Sequence, residues 1–182
     1  MITHYLASIL QPAIIPEPLG PGLSLALVKQ HLEYEDDDRD ELIAQYMRAA
    51  KEWVENYTGK KLTVGQVVQT EYRMHPFIPL NKEPFVSLTS IEYIGTDDAP
   101  DTVAGARVLN GRVYAPVSGW PTVADYTAIT VTYQAGYDET PADLVSAQLL
   151  LIADMFAGRE SSEWKSIDAV KWLCRPYQAM IL

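Results

Sequence analysis

The sequence predicts an α+β protein: a small helical bundle of about four helices, with a mostly antiparallel β-unit inserted between the helix pairs. Three observations predict it. An apolar stripe at helical spacing runs through residues 42–57, and a second apolar helical run follows Pro141. Between them the pattern changes to β-branched and aromatic stretches broken by turn signals. The expected layout is an extended Pro-rich arm over 1–23 and a single domain over 24–182, with helices in 24–60 and 140–176 and the β-insertion at 62–135.

Pro12, Pro16, Pro18 and Pro21 crowd the first stretch. Each removes a backbone donor and fixes φ, which predicts an extended arm. The apolar run Tyr5-Leu6-Ala7-Ser8-Ile9-Leu10 before them is a candidate short strand. Ser24 has the chemistry of an N-cap for a helix from Leu25 to Leu32. An acidic link from Glu33 to Asp38 follows, and Asp38 is the expected cap of a longer helix from Arg39 to Tyr57. Its apolar positions are Leu42, Ile43, Tyr46, Met47, Ala50, Trp53, Val54 and Tyr57, in steps of three and four that share one face. Gly59 supplies a left-handed stop, with Lys60 and Lys61 beside the negative helix end.

From Leu62 to Ala135 strands are expected, about five or six of them. Val64, Val67, Val68 and Tyr72 lie in one such stretch and Phe85 to Ile94 in another. In Thr127 to Tyr133, Ile129, Val131 and Tyr133 alternate with Thr130, Thr132 and Gln134. Turn signals fall at Pro76, Pro79, Pro84, Asp97-Asp98, Asn110-Gly111 and Gly119-Trp120-Pro121. Asn-Gly between Val108 and Val113 predicts a tight hairpin. Helix returns with Thr140 as N-cap, Pro141 in the first helical position and Asp143 in the third. The run Leu144 to Phe156 is apolar on most sides, which predicts burial on more than one face; Gln148 and Asp154 interrupt it and Gly158 ends it. After a polar loop from Arg159 to Lys165, Ser166 caps a last short helix reaching Cys174, and Pro176 terminates it.

Composition narrows the function. The chain has 182 residues, 48% hydrophobic and 21% charged, as expected for one soluble globular domain. Twenty-four acidic residues against fourteen Lys and Arg leave a net charge of −10. Such a chain repels a phosphate backbone, so grip on DNA or on an anionic membrane is not its expected main activity. Cys174 stands alone, so neither an intrachain disulfide nor a Cys-based zinc site can form, and a reducing compartment is expected. No apolar run approaches the roughly 20 residues of a membrane helix, and Met1 to Tyr5 lack the basic start of a signal peptide. The expected place of synthesis is the cytosol.

Motifs for chemistry are mostly missing. Asp36, Asp38 and Asp40 have the spacing of the first three calcium-loop ligands, but Glu41 stands where glycine is needed and Met47 where a bidentate glutamate is needed. A solvated acidic turn feeding a helix N-terminus accounts for them. His4, His31 and His75 share no spacing, and no His-Glu-x-x-His or Gly-x-Ser-x-Gly occurs. Gly20-Pro21-Gly22 leads into Leu-Ser-Leu rather than Gly-Lys-Ser/Thr. Arg175 beside Cys174 favours a thiolate, yet no base accompanies them, so the thiol is read as structural. Asn56-Tyr57-Thr58 matches a glycosylation sequon but lies inside a predicted helix. No catalytic, cofactor or metal residue is therefore assigned. The eleven tyrosines and four tryptophans are the remaining signal. Trp53 and Tyr57 read as core; Trp120, Tyr133, Tyr137, Trp164 and Trp172 are divided between core and interface.

Several segments, in this order, resemble the head–tail connector (adaptor) proteins of tailed bacteriophages. Leu23-Ser24-Leu25 through Lys29 and Leu32, then Asp40-Glu41-Leu42-Ile43, are similar to the N-terminal helix pair of that family. The most specific piece is the stretch from Ala49 to Leu62, which contains Trp53-Val54-Glu55-Asn56-Tyr57-Thr58-Gly59. Ile78-Pro79-Leu80, Pro84 to Val86 and Ser90 to Tyr93 resemble its β-region. Val131 to Tyr137 before Pro141-Ala142-Asp143-Leu144, then Ala147, Arg159-Glu160 and the Leu173 to Tyr177 close, complete the match. Gln178 departs from the arginine common there, which leaves no basic contact to carry over.

The resemblance implies a structural protein rather than an enzyme, without cofactor, forming a homo-oligomeric ring, a dodecamer, between the portal protein and a stopper or tail-completion protein. DNA would pass through the ring without specific binding, no membrane would be involved, and the place would be the virion, after assembly in the bacterial cytoplasm. Trp172, Leu173, Arg175, Pro176 and Tyr177 are the expected portal-docking residues. Glu33, Glu35, Asp36, Asp37 and Asp38 are candidates for an acidic channel wall, since an acidic wall lets DNA slide past; solvated outer surface is the competing reading. Other phage neck proteins and a non-phage cytosolic ligand-binding module stay open as alternatives. A hydrolase using Glu33 and Asp36 is the weakest, for want of a nucleophile or oxyanion donor.

Overall fold

The computed structural model describes residues 23–73, 75–124, 127–158 and 165–178. The expected arm thus lies outside the described residues apart from Leu23, as do Trp164 and most of the loop before it. Chain order is α1 (Leu25–His31), α2 (Asp40–Thr58), β1 (Gly65–Glu71), β2 (Phe77–Pro79), β3 (Phe85–Ile94), β4 (Pro100–Thr102), β5 (Arg107–Leu109), β6 (Arg112–Tyr114), β7 (Ile129–Ala135), α3 (Ala142–Ala157), α4 (Ile167–Cys174) and a 3-10 turn, Arg175–Tyr177. Helices and antiparallel sheets make the α+β architecture that the sequence predicts.

In α1 the Leu27 N–H donates to Ser24 Oγ at 3.2 Å, so Ser24 caps as its chemistry requires. The start of α2 differs from expectation. Arg39 occupies the N-cap without a side-chain cap bond, and the Asp38 carboxylate accepts from the Tyr34 hydroxyl instead. A competing donor within reach displaces the helix amides, while Asp40 and Glu41 supply the negative charge that the helix start favours. Along α2, Ile43, Met47, Ala50 and Val54 are fully buried, and Trp53 stacks on Tyr57 with ring centroids 4.8 Å apart. Each of the larger aliphatic side chains contributes about 1.5–3 kcal/mol by leaving water. Gly59 closes the helix in the left-handed conformation.

Among the described residues the β-unit has seven strands, in two sheets ordered β1-β7-β3-β4 and β2-β6-β5, rather than five or six. Four of the seven strands are three residues long, too short to carry a readable alternation. Pro79 ends β2, where the sequence suggests a turn. The Asn110-Gly111 hairpin forms as predicted, with both residues at positive φ (49° and 68°) between the paired Leu109 and Arg112.

The entry to α3 is a second correction. Pro141 takes the N-cap and the helix begins at Ala142. The Thr140 hydroxyl is buried and donates to the Leu62 carbonyl at 2.8 Å, away from the helix. In α3, Leu144, Ala147, Gln148, Leu151 and Ile152 are buried, and Val145, Leu149, Leu150, Met155 and Phe156 pack half-buried around them, the multi-sided burial expected. The Gln148 side-chain amide donates to the Leu144 carbonyl at 3.1 Å. Ser166 stands at the α4 N-cap, but its hydroxyl and N–H donate to the Asp154 carboxylate at 3.2 and 2.7 Å rather than capping. No described helix is long and apolar enough to cross a membrane.

Two apolar cores result. One joins the four helices through Val28, Ile43, Met47, Leu144, Leu151, Val170 and Cys174; the other lies between the sheets, around Ile78, Ile91, Val113, Val131 and Tyr133. Burial pushes the Cys174 thiol up to about 11, which agrees with a structural role.

Candidate functional site

This frame presents three surfaces. The first is the junction of the helical and β halves, where the chain crosses twice, after α2 and before α3. Glu55 of α2 is 7% exposed. Its Oε1 accepts from the Leu62 N–H at 3.0 Å and its Oε2 pairs with Lys61 Nζ at 3.0 Å. Lys60 pairs with Glu83, and the Lys61 N–H donates to the Glu83 carbonyl at 2.7 Å. Lys82 Nζ reaches the Glu55 carbonyl at 2.8 Å, and burial lowers its pKa. The Lys82 N–H in turn donates to the buried Tyr133 hydroxyl at 2.9 Å. Lys60 is thus ion-paired across the junction to Glu83 and Lys61 back to Glu55 of α2, where the sequence suggests only helix-end charges. Gly136 sits in the second crossing at φ 138°, its absent Cβ position only 2.3 Å from the Thr63 carbonyl oxygen of the first. This network is structural and fixes how the β-unit meets the helices.

The second surface is the acidic turn. Glu33, Glu35, Asp36, Asp37 and Asp38 are all exposed along one turn, so the five expected wall residues form one solvated patch. Asp37 accepts from Lys29 Nζ at 2.5 Å and Asp40 from the same nitrogen at 2.9 Å. The hydrogen bond from Lys29 lowers the Asp37 pKa, and the bonds to Asp37 and Asp40 raise that of Lys29. Bonding to Asp38 likewise raises Tyr34. Arg39 lies over the rings of Tyr34 and Phe156 at 5.4 and 5.8 Å, and those rings meet edge-on at 5.5 Å. The turn is therefore anchored to the C-terminal end of α3.

The third surface is the C-terminal segment, and the structure divides its five expected docking residues. Trp172 is 73% exposed, with Arg175 and Pro176 also outward. Leu173 and Tyr177 pack half-buried on the helical core, and the Tyr177 hydroxyl donates to Asp143 Oδ2 at 3.3 Å. Burial and the Asp143 carboxylate raise the Tyr177 pKa. Asp143 and Phe156 stand at opposite ends of α3, about 20 Å apart at 1.5 Å per residue. The acidic turn and the Tyr177 contact are separated by that length.

Sequence reasoning misses one further surface, the outer face of β1 and the residue just past its end, where Val68 is 61% and Tyr72 72% exposed. The available signal is the adjacent Val67-Val68 pair, which strand alternation must send to opposite faces.

Among solved structures, the chain is similar to a chain from the neck of an empty GTA particle computed with C6 symmetry: 21% identity, 88% of this chain and 91% of that chain, TM-score 0.74. It is similar to one from the neck of a native GTA particle computed with C12 symmetry, at 22% identity over the same shares, with a TM-score of 0.71. A chain from the virion of a native gene transfer agent particle aligns at 20% identity and a TM-score of 0.70, again over 88% of this chain and 91% of that one. These likenesses establish a shared fold. No curated protein matches the chain. The head completion protein family matches residues 23–166, from the first buried leucine through α3 to the N-cap of α4. The chain belongs to the head completion protein family.

Proposed function

We infer that this chain is a structural head–tail joining protein that completes the head by forming a ring at the neck, through which DNA passes. Membership of the head completion family over residues 23–166 is the observation that carries this reading. The shared fold with chains of a particle neck computed with C12 symmetry supports a ring, and by analogy a dodecamer. Its partners are further copies of itself, the portal protein on one side and a stopper or tail-completion protein on the other. Its role is assembly rather than catalysis, in the virion after synthesis in the host cytoplasm.

Trp172, Arg175 and Pro176 supply the outward contacts to the portal, with Leu173 and Tyr177 holding the segment on the helices. An exposed tryptophan beside an arginine is the composition of an interface anchor. Glu33, Glu35, Asp36, Asp37 and Asp38 face the passing DNA, where negative charge prevents adhesion to phosphates. The test is electron microscopy of the purified protein mixed with purified portal. Closed rings seated on the portal are expected; a protein that leaves the portal bare at micromolar concentration overturns the reading.

A further inference from the structure

The strand β1 is an edge strand: β7 pairs with one side, and among the described residues no strand pairs with the other. An open edge presents alternate backbone N–H and C=O groups, and proteins ordinarily guard it with lysine, proline or a bulge. β1 has none of these. It reads Gly-Gln-Val-Val-Gln-Thr-Glu, in unbroken register with β7 along its whole length. It offers a valine on each face, Val67 half-buried against the β core and Val68 exposed on the other side.

The chain also carries a segment suited to this edge. The family match begins at residue 23, so it accounts for nothing in residues 1–22. Within them Tyr5, Ala7 and Ile9 alternate with Leu6, Ser8 and Leu10, without a charge. Such a strand carries apolar side chains to lie beside both Val67 on the inner face of the sheet and Val68 on the outer one. Pro12, Pro16, Pro18 and Pro21 follow and prevent pairing from running further. Leu23 is held in the helical core. The chain between Leu10 and Leu23 spans up to about 40 Å when extended, comparable with the width of a domain of this size.

We propose that the Tyr5–Leu10 segment of one copy adds as a strand to the free β1 edge of a neighbouring copy, covering Val68. One donor and one acceptor per copy is a heterologous contact of the kind that closes into rings, so the proposal rests on the ring reading above.

The test begins with a variant lacking residues 1–22 and a synthetic peptide of residues 1–15. Adding the peptide should slow amide exchange within Gly65–Glu71 at least tenfold, and the Ile9→Pro peptide should not; unchanged exchange overturns the proposal. The donor copy is then identified in full-length protein carrying Ile9→Cys and Val68→Cys, in which buried Cys174 does not compete. Oxidation should give a ladder of covalent multimers. A cross-linked monomer, or no cross-link, overturns exchange between copies. Rings on the portal are scored separately: if full-length protein forms them while exchange and cross-linking fail, the arm proposal alone falls.

Discussion

The Thr140 hydroxyl donates to the Leu62 carbonyl at 2.8 Å, binding together the two places where the chain passes between its helical and β halves. Thr140→Val leaves that buried carbonyl without its donor and should cost about 1–2 kcal/mol. Thr140→Ser keeps the hydroxyl and should recover most of it. Denaturant unfolding of both variants checks this, and a Thr140→Val protein as stable as the parent would show that the bond contributes nothing.

Gly136 stands beside the same crossing, where a Cβ would meet Thr63 backbone atoms and the Val64 nitrogen at 2.3–2.5 Å. Backbone cannot yield as a side chain can, so Gly136→Ala should destabilise by about 3 kcal/mol or more. Gly65→Ala is the control: its nearest neighbour would be the Thr63 carbonyl oxygen at 3.9 Å. It should change stability by less than about 1 kcal/mol, and thermal unfolding distinguishes the two.

The Lys29–Asp37 pair gives a pH signature. The Asp37 pKa is lowered in the folded protein, so its contribution to stability is complete above the ordinary Asp value and is lost as pH falls through the folded one. The Lys29 pKa is raised, so its contribution is complete below the ordinary Lys value and is lost as pH rises through the folded one. The clamp on the acidic turn is therefore intact across the neutral range and opens at both extremes. Carboxyl NMR titration should find Asp37 below the usual Asp range, returning to it in Lys29→Ala.

Trp172 and Leu173 are neighbours in sequence with opposite surroundings, the first exposed and the second packed on the helical core. Trp172→Ala removes an exposed ring and should leave stability within about 0.5 kcal/mol; if the segment docks on the portal as proposed, it should also weaken portal binding roughly tenfold or more. Leu173→Ala should lower the melting temperature, because that side chain packs on the helical core. Removing residues 172–182 outright would also take the fully buried Cys174, so point variants are the sharper probe. Calorimetry for folding and a pull-down on immobilised portal separate the two effects.

Glu33, Glu35 and Asp36 form no ion pair among the described residues, and Lys substitutions at all three should leave the fold unchanged. If these groups line the channel, particles carrying the triple variant should release DNA more slowly at low salt and recover at high salt. Release unchanged at every ionic strength would return the patch to the outer surface.

The helices are legible in the sequence because their signals are local. α2 carries an apolar stripe and a glycine stop within one segment, and Ser24 and Gly158 mark ends that need no distant partner. The misreadings share the opposite character. Asp38 and Thr140 have capping chemistry, but Tyr34 and Leu62 offer better partners from elsewhere in the fold. Lys60 finds Glu83 across a long separation in sequence, which composition cannot reveal. The division of the β-unit into two sheets rests on three-residue strands fixed by pairing rather than by pattern. In the candidate docking segment, helical spacing decides which residues face out, and that spacing is readable only once α4 is known to lie on α3.

The two apolar cores share no described residue, and what fastens one to the other is a lacing of carbonyls, ammonium groups and carboxylates. Apolar contact tolerates small rotations, whereas a buried hydrogen bond is lost when its partner turns away. The boundary is consequently where the angle between the two halves is set, by Glu55, Lys82 and Tyr133 rather than by either core.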